Sequence, residues 1–116
     1  RVREVMDAVS RVIDPARISG HFHDTYGQAL ANILAAMETG ISIFHASVAG
    51  LGGCPYARGA TGNVATEDVL YMLRGLDVEP GVDFDAVVDI GQWISGHLGR
   101  RSASRAGNAV AAKRAA

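Results

Sequence analysis

Two histidines, His21 and His23, flank Phe22 in the stretch "HFHD". On an extended backbone, residues i and i+2 share one face. Two imidazoles side by side can then chelate one divalent cation. Asp24 follows directly and is positioned to orient such a ligand from behind. Two polar residues at a strand end give the same pattern without any metal. A second candidate is Cys54, the chain's only cysteine, inside "GLGGCPYARGATGN" at residues 50–63. A thiol between Gly53 and Pro55, in so glycine-rich a loop, is suited to reach a substrate and ionise. A buried, inert cysteine acting as a small hydrophobe is the competing reading. Asn63 ends the loop. Its amide oxygen could ligate a hard cation, though asparagine is equally at home in a turn. Glu67 lies one helical turn further on, either near the same site or simply as an acidic residue at a helix N-terminus. The loop lacks the G-K-[ST] of a phosphate-binding P-loop, and no G-x-G-x-x-G links a strand to a helix.

Those residues need elements to hold them. Val2, Val5, Met6, Val9, Val12 and Ile13 recur at helical spacing and predict an amphipathic helix ending near Asp14-Pro15. Ile18 to His23 reads as a short strand. Ala29, Leu30, Ile33, Leu34 and Met37 give a second helical stripe, with Gly40 as its C-terminal cap. "ISIFHASVAG" reads as a second strand ending near His45. After the glycine loop, Thr66 can cap a helix with Glu67 and Asp68 in its first turn, and Val69, Leu70, Leu73 and Leu76 facing inward. Asp83 can cap a last helix whose inward face is Val87, Ile90, Gly91, Ile94 and Leu98. Tyr71 and Trp93 are expected to be packing residues, and Arg58 to face solvent. From Gly99 the chain is rich in Ala, Ser and Arg with no acidic residue, and reads as a frayed or partly disordered tail. Residues 1–98 therefore form the structured portion and 99–116 a basic tail.

Helices alternating with strands imply parallel βαβ units. Two parallel strands cannot make a self-sufficient sheet, so the expected fold is α/β and part of a larger sheet or barrel. In such folds the chemistry sits at the C-terminal strand ends, where "HFHD" and "HAS" fall. The 116 residues suffice for one small domain, and 48% hydrophobic with 20% charged residues supports a packed core. A net charge of −1 gives no general reason to expect nucleic acid or an acidic membrane as partner. One cysteine forms no internal disulfide, which fits a reducing compartment such as the cytoplasm. No apolar run is long enough to span a bilayer, and the charged N-terminus does not read as a signal peptide. The chain opens inside a helical pattern without a cap or initiator methionine, which points to a longer parent.

Together, "HFHDTYGQALAN" and "SVAGLGGCPYARGATGNVATEDVLYML" resemble the 3-hydroxy-3-methylglutaryl-CoA lyase family, over about Arg17 to Leu98. The resemblance implies a (β/α)8 barrel, of which this chain is the C-terminal part with strands seven and eight. It implies metal-assisted cleavage of 3-hydroxy-3-methylglutaryl-CoA to acetyl-CoA and acetoacetate. It further implies Mg2+ or Mn2+ held by His21, His23 and Asn63, with an aspartate from the barrel's first strand. Cys54 is then the general acid on a closing loop, His21 a proton carrier as well as a ligand, and Asp24 and Glu67 supports of the metal or loop. The substrate is the expected partner, with no nucleic acid or membrane, and the full-length chain is expected to be a homo-oligomer. Members of that family usually carry an acidic residue where this chain has His45. Lacking the first-strand aspartate, the 116 residues alone are expected to be inactive.

Overall fold

The computed structural model describes every residue except Cys54, Pro55, Ala57 and Arg58. Helix α1 (Val2–Ser10) leads through a one-turn helix at Pro15–Arg17 into strand β1 (Ser19–His21). Helix α2 (Ala29–Met37) returns the chain to strand β2 (Ile43–His45), followed by a tight turn at Val48–Gly50. Helices α3 (Thr66–Gly75), α4 (Phe84–His97) and α5 (Arg105–Ala115) complete the order. The strands are parallel neighbours, with Ser19 opposite Ile43, Gly20 opposite Phe44 and His21 opposite His45. The β1–α2–β2 unit is therefore the βαβ crossover that the alternating pattern predicts. Both strands are shorter than expected from sequence, because pairing beyond His21 and His45 passes to single bridges rather than a continuous ladder.

The chain forms a slab of 49 × 36 × 19 Å, too thin to cover both faces of the sheet. One face carries buried Gly20 and half-buried Phe44. It joins a core built on Ala29, Ile33, Val64 and Val69, with Phe22, Leu30, Met37 and Met72 packed around it. The other face, carrying Ser19, His21, Ile43 and His45, is open. Strand pleating makes this division, because alternate side chains point to opposite faces. The residues with chemical potential thus share the open face with Ile43, an exposed apolar residue.

Helix ends follow local chemistry. Asp83 Oδ1 accepts hydrogen bonds from the Asp85 and Ala86 amides at 2.9 and 3.0 Å, the capping predicted for α4. Ala65, not Thr66, is the residue preceding α3. Glu38, not Gly40, caps the C-terminus of α2, and Gly40 reverses the chain two residues later with φ +91.

Three expectations are corrected. The residues after Gly99 are not frayed: α5 runs from Arg105 to Ala115 and packs on α3 and α4. Arg114 pairs with both Asp85 and Asp89 of α4. Trp93 is 67% exposed and stacks on His97, and Tyr71 is also exposed, so neither is a core residue. On α4 the buried positions are Val88, Gly91 and Ser95, whereas Ile90 and Leu98 face solvent. That face follows α5 and the Val48–Gly50 turn, which abut α4 through small residues that hydropathy alone does not flag. Helix α1 has the amphipathic pattern but buries nothing fully, since it packs mainly on α2, with Arg3 donating to Glu38.

Candidate active site at the strand ends

Beyond β1 the backbone stays extended long enough for His23 to form an antiparallel bridge with Asn63. The Asp24 amide donates to the Gly62 carbonyl at 3.2 Å, and the Val64 amide to the Phe22 carbonyl at 3.3 Å. On its other side the same segment meets β2's continuation: Ser47 bridges Ala65, with Ser47 N to Val64 O at 3.0 Å and Thr66 N to Ser47 O at 2.9 Å. Residues 62–66 are thus wedged between the two strand ends. This brings the far end of the glycine loop to the H-x-H motif.

Three imidazoles line the open rim. The His21 and His23 ring centroids are 5.3 Å apart, and those of His21 and His45 are 5.7 Å apart. Two imidazoles binding one ion through nitrogens at about 2.1 Å place their centroids roughly 5 Å apart, so the first pair fits a shared cation. Among the described residues, no group of three His, Cys, Asp or Glu side chains converges on a metal site. Among the described residues beside the imidazoles, Asn63 has the chemistry of a third ligand. Its Nδ2 donates to the Leu51 carbonyl at 3.0 Å, and that bond fixes which end of the amide is oxygen. Among the described residues, nothing donates to the amide oxygen.

The neck of the loop is closed by backbone packing. A Cβ on Gly62 would lie 2.3 Å from the Gly52 carbonyl oxygen and 2.9 Å from that of Gly50. Gly62 also has φ +111, where a side chain is strained. Only glycine lets the two ends of the loop approach this closely. Cys54, the thiol singled out by sequence, lies outside the described residues, as does Arg58.

The two acidic candidates support backbone and do not reach the imidazoles by any hydrogen bond in the structure. Asp24 Oδ1 accepts from the Ala29 amide at 2.9 Å, tying the strand end to the start of α2. Its Oδ2 lies 3.5 Å from the Arg105 guanidinium. Glu67 is 0% exposed, and both its oxygens accept from the Ala49 amide at 3.0 Å. Burial raises its pKa above the ordinary carboxylate value, opposed by backbone amides and reinforced by neighbouring Asp68. Ala49 has φ +55, and the Glu67 carboxylate holds it there at the root of the loop. Gly91 makes room for that carboxylate, since a Cβ there would sit 2.2 Å from Oε1.

Sequence reasoning placed Asp68 only as a first-turn acid of its own helix and did not single out Ser104. Both are buried, and the Ser104 hydroxyl donates to Asp68 Oδ1 at 2.8 Å. The Ala106 amide reaches the same oxygen at 2.8 Å, and the Arg105 amide reaches Oδ2 at 3.3 Å. Asp68 therefore caps α5 from a different helix. Ser104 before a helix-forming run was the available signal for a start of α5.

A parallel βαβ unit with its polar residues at the C-terminal strand ends defines an α/β protein with its candidate site where such folds place one. A family model described as HMGL-like matches residues 1–94, and the chain belongs to that family. A Pseudomonas aeruginosa protein named 3-hydroxy-3-isohexenylglutaryl-CoA/hydroxy-methylglutaryl-CoA lyase is 59% identical over 111 residues, 96% of this chain and 37% of the relative. The Arabidopsis thaliana protein named hydroxymethylglutaryl-CoA lyase, mitochondrial, is 56% identical over 91% of this chain and 23% of its own length. The crystal structure of hydroxymethylglutaryl-CoA lyase from Pseudomonas aeruginosa superposes with a TM-score of 0.92 at 58% identity, covering 97% of this chain and 37% of that one. An Acinetobacter baumannii lyase, solved with coenzyme A and 3-methylmalate, gives a TM-score of 0.88 at 37% identity, over 93% of this chain and 35% of that one. The chain thus spans little more than a third of the length of most of these relatives. No described helix is long and apolar enough to cross a membrane.

Proposed function

We propose that this chain is the section of a 3-hydroxy-3-methylglutaryl-CoA lyase that carries two histidine ligands, one asparagine ligand and the thiol acid. The observation that carries the reading is the bridge between His23 and Asn63, beside the paired rings of His21 and His23. Mg2+ or Mn2+ would be held by His21, His23 and Asn63, with an aspartate from the rest of the barrel. When bound, such an ion supplies Lewis acidity toward the substrate's tertiary hydroxyl. The hydroxyl proton leaves toward His21. The electrons of the C2–C3 bond pass to the α-carbon of the thioester, and Cys54 returns a proton there. The products balance as acetoacetate and acetyl-CoA. The glycine loop excludes water while the carbanion lives. Glu67 fixes the loop's root through Ala49, and Asp24 fixes the H-x-H strand end through Ala29.

A second substrate is favoured by the name of the Pseudomonas aeruginosa relative, which includes 3-hydroxy-3-isohexenylglutaryl-CoA. The bond broken is the same, and only the branch on C3 is longer.

The test is an assay of the complete polypeptide carrying this chain with both thioesters. Acetoacetate and acetyl-CoA from the methyl substrate, in Mg2+ or Mn2+ and abolished by EDTA, are expected. The 116 residues alone are expected to be inactive. No acetoacetate, with turnover of an oxo-acid, would reassign the site to another aldolase or condensing reaction. A folded protein without turnover or metal affinity would reassign it to partner binding.

A further inference from the structure

We infer that the segment Ala103–Arg105, at the start of α5, is a positioning element for the candidate metal site. The inference rests on the ligand role proposed for His23 and Asn63. Three contacts carry it. The Ala103 amide donates to the Ala49 carbonyl at 3.1 Å, so Ala49 is gripped by Glu67 at its N–H and by Ala103 at its C=O. The Ala103 methyl also limits the root of the loop, since a Cβ on Gly50 would lie 3.0 Å from it. Arg105 reaches across to Asp24, the residue after His23.

The segment is held rigidly on its own account. Ser104 is 0% exposed, donates to Asp68 Oδ1 and accepts from the Gly107 amide at 2.8 Å. The Ser104 amide donates to Ser102 Oγ at 3.1 Å, and Asn108 Nδ2 donates to the Ser102 carbonyl at 2.8 Å. Asp24, Asn63, Asp68, Ala103 and Arg105 line one cavity of about 190 Å³. This segment, a latch on the loop root, therefore borders Asn63 as well as the H-x-H strand end. The structure gives it no hydrogen bond to any imidazole or to the Asn63 side chain, so it acts indirectly, through Ala49 and Gly50 at the loop root and through Asp24 at the strand end. A loosened latch frees Ala49 and Gly50, and with them the Gly50–Gly62 packing that fixes Asn63. Buried polar networks of this kind set geometry because each member is satisfied only in one arrangement.

The experiment uses the complete polypeptide as wild type, Ser104→Ala, Ser104→Thr and Arg105→Ala. Mn2+ affinity is read from the electron paramagnetic resonance signal of free Mn2+, alongside kcat and KM. Ser104→Ala is expected to weaken Mn2+ binding about tenfold, as other residues that orient metal ligands do, and to lower kcat more than it raises KM. Ser104→Thr, which keeps the hydroxyl, is expected to restore both. Wild-type Mn2+ affinity in a folded Ser104→Ala overturns the latch. If Ser104→Ala does not fold, Arg105→Ala decides, since its side chain is 75% exposed and its loss leaves the core intact. Weakened Mn2+ binding there supports the latch, and unchanged binding overturns it. Wild type that binds no Mn2+ instead overturns the ligand assignment on which the latch rests.

Discussion

The open face of the sheet and the seam between α3 and α5 treat polar side chains in opposite ways. On the open face, His21 and His45 are exposed, and among the described residues no hydrogen bond restrains any of the three rim imidazoles. In the seam, Glu67, Asp68 and Ser104 are buried and each holds named backbone amides. A buried polar group without partners costs about 1–3 kcal/mol, so the seam's bonds are obligatory. The rim imidazoles carry no such requirement and stay available to a ligand. The seam fixes backbone at the root of the glycine loop and the start of α5, so in the proposed reading it holds structure while the rim supplies chemistry.

Replacing one residue in each region tests this division. The largest effect is expected at the rim. His23→Ala should lower acetoacetate formation by more than about 100-fold, beyond what loss of an orienting neighbour costs, with the melting temperature unchanged. A large loss of stability instead would place His23 with the structural residues. At the loop neck, Gly62→Ala should destabilise by about 3 kcal/mol in urea unfolding, combining overpacking against Gly52 with a disfavoured φ. A neutral result would show that the two ends of the loop do not pack as described.

Glu67→Gln tests the seam through pH. Burial raises the Glu67 pKa, so the unfolded chain releases this proton first as pH rises. Ionisation then favours unfolding, and stability falls from the ordinary value of 4.5 up to the raised folded value, then levels off. Unfolding of wild type minus variant across that window should show this decline, and a flat difference would remove the buried-carboxylate account. Trp93→Ala is expected to matter least, changing stability by under about 0.5 kcal/mol, because its ring is solvent-facing. A cost of several kcal/mol would mean that this face of α4 is covered.

The rim was legible in sequence because its signals are local. Strand period places His21 and His23 on one face, and Gly62 before Asn63 marks the end of the loop. The βαβ order, the Asp83 cap and the α2 stripe, apart from exposed Leu34, were legible for the same reason. The seam was not, because its bonds join distant residues. Asp68 reads as a first-turn acid of its own helix, yet it caps α5 across 36 to 38 residues of sequence. Glu67 reads the same way, yet it reaches back 18 residues to Ala49. The α5 region reads as a tail because the one residue it buries fully is Gly107, not a large apolar side chain. Trp93 shows the opposite failure: a large aromatic side chain invites a core assignment that the packing of α4 does not make.

The central claim is that Asn63 joins the two histidines as a ligand. Mn2+ titration of the complete polypeptide, wild type against Asn63→Ala, tests it most directly. The account predicts binding at least about tenfold weaker in the variant, with folding intact. Equal Mn2+ affinity in the two proteins would contradict it.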